Sequence, residues 1–318
     1  MLKELKFVQG AVAKKDFLPV MTHFQILKGF VTAYNGTLSL RAPLPIDLEC
    51  KPKAAHLVQA IAKCSETTTL NMTENGKLRV QSGKFKAFID CIEEEFPNVE
   101  PEGDTVQIDG EQLIKSFKTL YDFIGEDASR PWSNGILLRG QSAFATNNVC
   151  LVEYWLGFNF PVDANIPMVA VREIIRIGEV PTHIRISDKN ITFLYENGKW
   201  IRSQLFSTQW PNLSKVLDRE NNATIINKKL FEGLEVVAPF VDKLGRIYFS
   251  DNCIKTHSSE AEGASFELEN FEHKGIYQIE MLKLLTNVVD RIDFNAYPEP
   301  CIFYGDRLRG AIIGMTGL

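Results

Sequence analysis

Apolar residues recur at helical spacing in six places along this chain, and the six fall into three pairs. Leu2, Leu5, Val8 and Val12 make the first stripe, and Ala54, Leu57, Val58 and Ile61 the second. Leu113, Ile114, Phe117, Leu120, Tyr121 and Ile124 form the third, and Val171, Ile174 and Ile175 the fourth. Leu230, Phe231, Leu234 and Val237 follow, then Leu282, Leu285, Val288 and Val289. Steps of three and four residues align side chains along one side of a helix, so each stripe predicts a helix with one buried face. The helices are expected over 2–13, 53–64, 111–124, 169–178, 228–238 and 278–289.

Between the stripes the pattern changes to β-branched and aromatic residues broken by turn dipeptides, which reads as strands. Asn35-Gly36 leads to Thr37-Leu38-Ser39-Leu40, and Asn75-Gly76 to Lys77-Leu78-Arg79-Val80. Asn197-Gly198 separates Ile191-Thr192-Phe193-Leu194 from Trp200-Ile201-Arg202-Ser203. Asn-Gly between such runs favours a type I′ hairpin, and hairpins imply antiparallel sheet. The order is helix, strands, helix, strands, three times over, which predicts an α+β fold of three similar units. A sequence trace of the repeat supports it. Gly83-Lys84-Phe85 opens a strand whose exit is Phe96-Pro97-Asn98-Val99, and Gly198-Lys199-Trp200 opens one whose exit is Trp210-Pro211-Asn212-Leu213. Boundaries follow just after these exits, giving units over 1–104, 105–220 and 221–318.

With 318 residues the chain suits two or three domains, and 45% apolar with 24% charged residues is ordinary globular composition. No apolar run approaches the roughly 18 residues that span a bilayer, so no membrane association is expected. Cys50, Cys64, Cys91, Cys150, Cys253 and Cys301 lie far apart, which reads as reduced thiols of a cytoplasmic protein.

The net charge of −5 excludes a uniformly basic nucleic-acid binder. Charge is segregated instead. Within the six helices eleven basic residues face seven acidic ones: Lys3, Lys6, Lys53, Lys63, Lys115, Lys118, Arg172, Arg176, Lys228, Lys229 and Lys283 against Glu4, Glu111, Asp122, Glu173, Glu232, Glu235 and Glu280. The helices are therefore net positive on an otherwise acidic chain, which suits a surface that meets phosphate without reading bases.

Catalytic chemistry is missing. Gly76 to Gly83-Lys84 has the wrong spacing for a phosphate loop, and Phe85 stands where Ser or Thr is required. His23, His56, His183, His257 and His273 are scattered with no metal-gripping pair. Glu93-Glu94-Glu95 reads as a solvated turn. No catalytic residue, metal or cofactor is assigned.

Several segments, taken in order, resemble the bacterial beta sliding clamp, the processivity subunit of the replicative polymerase, in a shortened form such as phages carry. Leu18-Pro19-Val20 with Asn35-Gly36-Thr37-Leu38-Ser39-Leu40 is similar to the family's first-domain opening. Leu78-Arg79-Val80-Gln81-Ser82-Gly83-Lys84-Phe85 and Phe96-Pro97-Asn98 resemble its first-domain exit. Arg130-Pro131-Trp132-Ser133-Asn134-Gly135-Ile136-Leu137 and Ala145-Thr146-Asn147-Asn148 resemble the second-domain hairpin. Trp210-Pro211-Asn212-Leu213-Ser214-Lys215-Val216 resembles the crossing to the third domain, and Ala311-Ile312-Ile313-Gly314-Met315 the terminal strand.

The resemblance implies three clamp domains per chain, each two helices on antiparallel sheets, and a head-to-tail homodimer closed as a ring. Such a ring encircles duplex DNA without sequence preference, tethers a DNA polymerase and is opened by a clamp loader. The eleven helix cations, with Arg130 and Trp132, would then face DNA. The family's partner cleft falls, by position, on Thr146, Leu151, Pro211, Lys215, Val216, Ile312, Ile313 and Met315. The chain departs from the family at Asn147-Asn148-Val149-Cys150, where Asp-Gly-His-Arg is usual, and at Gly314-Met315-Thr316-Gly317-Leu318, where Met-Pro-Met-Arg-Leu is common. The family's strand ahead of the first helix has no counterpart. Two competing readings are a clamp-fold scaffold that does not enclose DNA, which loss of the helix cations would have marked, and a β-rich enzyme. The absence of a paired base and nucleophile speaks against the enzyme.

Overall fold

The computed structural model describes residues 1–15, 18–259 and 262–316. The first repeat runs α1 (Leu2–Val8), the meander β1 (Gln25–Leu27), β2 (Phe30–Tyr34) and β3 (Leu38–Pro43), then α2 (Ala54–Ala62) and a second meander, β4 (Thr68–Met72), β5 (Leu78–Ser82) and β6 (Phe85–Ile89). The second adds a leading strand. It runs β7 (Asp104–Gln107), α3 (Gly110–Leu120), β8 (Gly135–Arg139), β9 (Ser142–Thr146), β10 (Cys150–Trp155), β11 (Ala164–Pro167), α4 (Met168–Ile177), β12 (His183–Ile186), β13 (Asn190–Leu194) and β14 (Trp200–Gln204). A one-turn helix, α5 (Ser214–Leu217), leads to the third: β15 (Thr224–Ile225), α6 (Lys229–Val237), β16 (Arg246–Ser250), β17 (Cys253–Lys255), β18 (Ser265–Glu267), β19 (Gly275–Gln278), α7 (Ile279–Lys283), β20 (Arg291–Ile292), β21 (Cys301–Gly305) and β22 (Leu308–Ile312).

Pairing is antiparallel throughout these sheets. One sheet has the order β1-β2-β3-β14-β13-β12-β7 and another β11-β8-β9-β10-β22-β21-β20-β15; the smaller sheets are β4-β5-β6 and β18-β17-β16-β19. The last strand of one repeat thus pairs with the third strand of the repeat before it: β14 with β3, Ile201 opposite Leu40, and β22 with β10, Gly310 opposite Val152. Because the sheets continue from repeat to repeat, the chain packs as two compact units rather than at the sequence boundaries. One comprises Met1–Ile114 and Val169–Leu205, the other Lys115–Met168 and Phe206–Leu318. By this rule two strands are left without their counterpart among the described residues: β6, the last of the first repeat, and β18, which holds the third place in the last.

Each connector between repeats is tied to its sheet by ion pairs. In the first unit Arg41 holds Glu100 at 3.0 Å, Arg202 holds Glu102 at 2.6 Å, and Arg185 Nε donates to the Gly103 carbonyl at 2.8 Å. In the second, Arg309 holds Asp218 at 2.9 Å and Arg219 holds Glu299 at 2.8 Å.

The expected stripes are the buried helix faces. Leu5 and Val8 of α1, Leu57 and Ile61 of α2, Leu113, Phe117 and Leu120 of α3, and Leu230, Leu234 and Val237 of α6 are all buried. Two expectations need correction. The Asn-Gly hairpins are not type I′, because only the glycine takes positive φ (71° at Gly76, 76° at Gly198). Gly198 N–H donates to Tyr195 O and Tyr195 N–H to Lys199 O, the closure of a three-residue loop with glycine at the left-handed position. The last helix stops at Lys283 rather than 289: Asn287 sits at φ 64° amid β-branched Thr286, Val288 and Val289, which resist helix. The turn α5 carries too short a pattern to have been expected. Among the described residues no helix is long and apolar enough to cross a membrane.

Candidate nucleic-acid interface and partner cleft

The polar faces of the helices carry most of the expected cations. In the first unit Lys3, Lys6, Lys63, Arg172 and Arg176 are exposed and Lys53 is half-buried, its ammonium donating to Thr22 Oγ1 at 2.7 Å. Lys3 stands 3.6 Å from Glu179. In the second unit Lys115, Lys118, Arg130, Lys228 and Lys229 are exposed, while Lys283 is half-buried and paired with Glu235 at 3.0 Å. Arg130 donates to Asn148 Oδ1 at 3.0 Å. An exposed lysine that shares a helix with a buried apolar face is held in place while its ammonium stays hydrated, the condition for weak, mobile phosphate contacts.

Arg176 does something else. Its Nε donates to both oxygens of Glu173 at 2.9 Å, and its Nη2 to Glu173 and to the carbonyls of Phe7 (3.0 Å) and Lys6 (3.3 Å). It therefore satisfies the carbonyls that end α1 and neutralises a carboxylate that is 7% exposed. A Cβ on Gly10 would lie 1.6 Å from Glu173 Oε1, so a side chain there would have to push that carboxylate aside, and the α-helix expected to reach residue 13 ends at Val8. Below this network Lys199, 4% exposed, pairs with Glu179 at 2.6 Å and lies over the Phe7 ring at 5.1 Å. Burial opposes ionisation of Glu179, but hydrogen bonds from Lys199 and Asn197 and the charge of Lys3 hold its carboxyl below the usual range.

The cleft lies wholly within the second unit. Trp210-Pro211-Asn212 leads into α5, where Asn212 Oδ1 accepts the Ser214 N–H at 3.0 Å. That turn aims Leu213 and Leu217 at Leu137 of β8 and Phe144 of β9, and these with Trp210 form a buried apolar cluster. Trp132 and Leu151, both half-buried, close over it, with Trp132 edge-on to Trp210 at 5.1 Å between ring centres. Beside the cluster a concavity of about 420 Å³ is lined by Arg139, Phe144, Trp210, Pro211, Leu213, Leu217 and Arg309. Its rim charges are paired off, Arg309 with Glu153 at 2.5 Å and Arg139 with Asp163 at 2.6 Å. The surface thus offers apolar area bounded by a polar rim, the usual anatomy of a protein-binding site.

Leu151 packs against this cluster and Pro211 lines the concavity, with Lys215 exposed and Val216 half-buried on α5. Ile313 is 46% exposed, and Met315 is half-buried and anchored through its backbone, N–H to Ile276 O and O from the Tyr297 hydroxyl, both at 2.7 Å. Gly317 and Leu318 lie outside the described residues. Trp132, expected with the cations, packs its half-buried ring on Trp210. Two assignments are corrected. Ile312 is fully buried between Cys150 and Cys301 and offers no surface. Thr146 is also buried; its hydroxyl donates to Cys150 O at 2.7 Å and accepts from Asn148 N–H, so it shapes the turn. Asn148 adopts φ 71°, which asparagine tolerates, and Asn147 Oδ1 accepts from Val149 and Cys150 N–H. Sequence reading missed Leu137, Phe144, Trp210, Leu213 and Leu217. The signal available was the repeated aromatic-Pro-Asn-aliphatic exit. Among the described residues no group of three or more His, Cys, Asp or Glu is placed to hold a metal ion.

Three like repeats, sheets that continue from one repeat into the next, and helices with cationic outer faces define the three-domain DNA-clamp fold. No family model matches the chain, and no curated protein matches it in sequence. Solved structures match over its full length. The DNA polymerase III subunit beta sliding clamp of Pseudomonas aeruginosa, bound to griselimycin, aligns over 100% of this chain and 97% of its own with TM-score 0.84 at 17% identity. The Bacillus subtilis sliding clamp gives 0.82 at 14%, covering 100% and 97%. The Helicobacter pylori beta clamp bound to a DNA ligase peptide gives 0.80 at 14%, covering 99% and 97%. The fold is that of the bacterial beta sliding clamps.

Proposed function

We propose that this chain is a member of the beta clamp family and a non-catalytic sliding clamp. Two copies close head to tail around duplex DNA in the cytoplasm, and the ring, placed by a clamp loader, tethers a DNA polymerase and confers processivity. In this reading the domains are 1–104, 105–220 and 221–318. The observation that carries it is the pairing rule of the sheets. β14 completes β3 and β22 completes β10, which leaves β6 seeking a third strand and β18 seeking a last strand. A second copy supplies both at once, β6 of each chain against β18 of the other, and a heterologous contact repeated twice closes. Phe88 on β6 is 55% exposed, as expected of a side chain that a partner covers.

Lys6, Lys63, Lys115, Lys118, Arg172, Lys228 and Lys229 make no ion pair among the described residues and are assigned to DNA; a ring that holds by topology needs only weak phosphate contacts. The cleft at Trp132, Leu151, Pro211 and Leu217 is assigned to an extended peptide of the polymerase, and the peptide-bound Helicobacter pylori clamp supports that mode of binding. The test is mass in solution together with retention on DNA. The ring should weigh about twice the 35.9 kDa chain, stay on nicked circular DNA and slide off once that DNA is linearised. Equal loss from both forms excludes encirclement and leaves the scaffold reading.

A further inference from the structure

Two thiols meet where the segment leading into α2 crosses the end of β6. Cys50 exchanges both backbone hydrogen bonds with Ile26, at 2.9 and 3.1 Å. Two residues on, Pro52 stands opposite Cys91, with Lys53 N–H to Asp90 O at 2.9 Å and Ile92 N–H to Lys51 O at 3.1 Å. Side chains alternate along extended backbone, so Cys50 and Pro52 point to one face, and Cys91, opposite Pro52, points to the same face. The two thiols are diagonal neighbours across this pair. Both line a concavity of about 650 Å³ that also takes in Met72, Glu49 and Lys51, so a small oxidant reaches them. All six cysteines are free thiols in this structure.

We propose that Cys50 and Cys91 are a peroxide-responsive dithiol, with Cys91 the thiol attacked first and Cys50 the one that resolves it. The Cys91 thiolate attacks one peroxide oxygen, the O–O bond breaks, and hydroxide leaves as water; the product is a sulfenic acid. The Cys50 sulfur then attacks the sulfenic sulfur, the S–S bond forms and a second water leaves, so two thiols and one hydrogen peroxide give one disulfide and two waters. The Cys50 S–H, donating to Cys91, brings the Cys91 thiol down to about 7 against the opposing effects of burial and Asp90, while the same bond and burial push Cys50 up. Thiolate character and access decide which cysteine oxidises. Cys150 and Cys301 are buried and differ on both counts. Burial pushes Cys150 up to about 12, and burial also raises Cys301, whose sulfur contacts the Tyr277 hydroxyl at 3.2 Å.

The test uses the full reduced chain, exposed to hydrogen peroxide under native conditions, alkylated to quench and mapped without reduction. The expected result is a Cys50–Cys91 linked peptide pair, about 2 Da lighter than its two thiol peptides, with the other four cysteines alkylated. In Cys50→Ser a dimedone adduct should accumulate on Cys91, and Cys91→Ser should give neither adduct nor link. The proposal is overturned if Cys50 and Cys91 alkylate as fully after peroxide as before, or if Cys91 proceeds to sulfinic acid without linking. Oxidation of Cys64 or Cys253 ahead of the pair overturns it equally. The decisive readout is on the unsubstituted chain, so a variant that misfolds does not remove the test.

Discussion

Truncating Phe88 to alanine tests ring closure where the sheet topology leaves β6 open. Phe88 is 55% exposed, so the single chain loses little when its ring is removed, and unfolding of the monomer should move by less than about 1 kcal/mol. In the proposed ring that exposed part would be covered. A phenylalanine presents roughly 200 Å², so about 110 Å² would be withdrawn from water, stabilising each interface by roughly 2.7 kcal/mol at 25 cal/mol per Å². The proposed head-to-tail ring would have two equivalent interfaces, so the substitution would act twice and the dimer should weaken by about 5 kcal/mol, or nearly four decades in Kd. Sedimentation across a concentration series reads this directly. The parent chain should run near twice 35.9 kDa at concentrations where the variant has fallen to one copy. A variant that dimerises as tightly as the parent refutes the assignment of β6 to the interface. A variant that unfolds shows instead that Phe88 packs within its own chain.

Reversing Lys115, Lys118 and Arg172 to Glu should weaken DNA association and flatten its dependence on salt, by about 0.9 in the log–log slope for each phosphate no longer neutralised; unchanged binding would remove the helix faces from the DNA surface. Arg176→Glu, by contrast, should lower Tm, because it sets a second carboxylate against buried Glu173 and frees the end of α1. Leu151→Ala and Val216→Ala should each weaken polymerase binding by about 1–2 kcal/mol, measured by calorimetry, with dimer mass unchanged. Glu179→Gln should cost about 3 kcal/mol in urea unfolding and Lys199→Met less, since Lys199 is 4% exposed and is stranded by loss of its partner, whereas Glu179 is 27% exposed and keeps Lys3. The folded carboxyl of Glu179 lies below its ordinary 4.5, so its contribution is complete at neutral pH and is lost as pH falls through the folded value. Equal costs for the two variants would contradict the burial argument.

The sequence by itself determined the repeated order of helices and strands and which face of each helix is buried. Those are local matters: a stripe such as Leu113, Phe117 and Leu120 has one way to leave water, and Lys115 and Lys118 between them must then point outward. Tertiary structure alone decided the rest. Whether a cation is free or committed depends on residues far away in sequence, and Arg176 reads like Arg172 until the carbonyls of α1 arrive at its guanidinium. That Trp132 packs on Trp210, seventy-eight positions away, is likewise set by the fold. Ile312 and Ile313 are equally apolar, yet only the register of β22 between β10 and β21 buries the first and exposes the second. The thiols of Cys50 and Cys91, forty-one positions apart, are brought together only by the pairing of Pro52 with Cys91. Periodicity records how a residue sits relative to its own element, whereas ion pairs, clefts and strand edges depend on which elements meet.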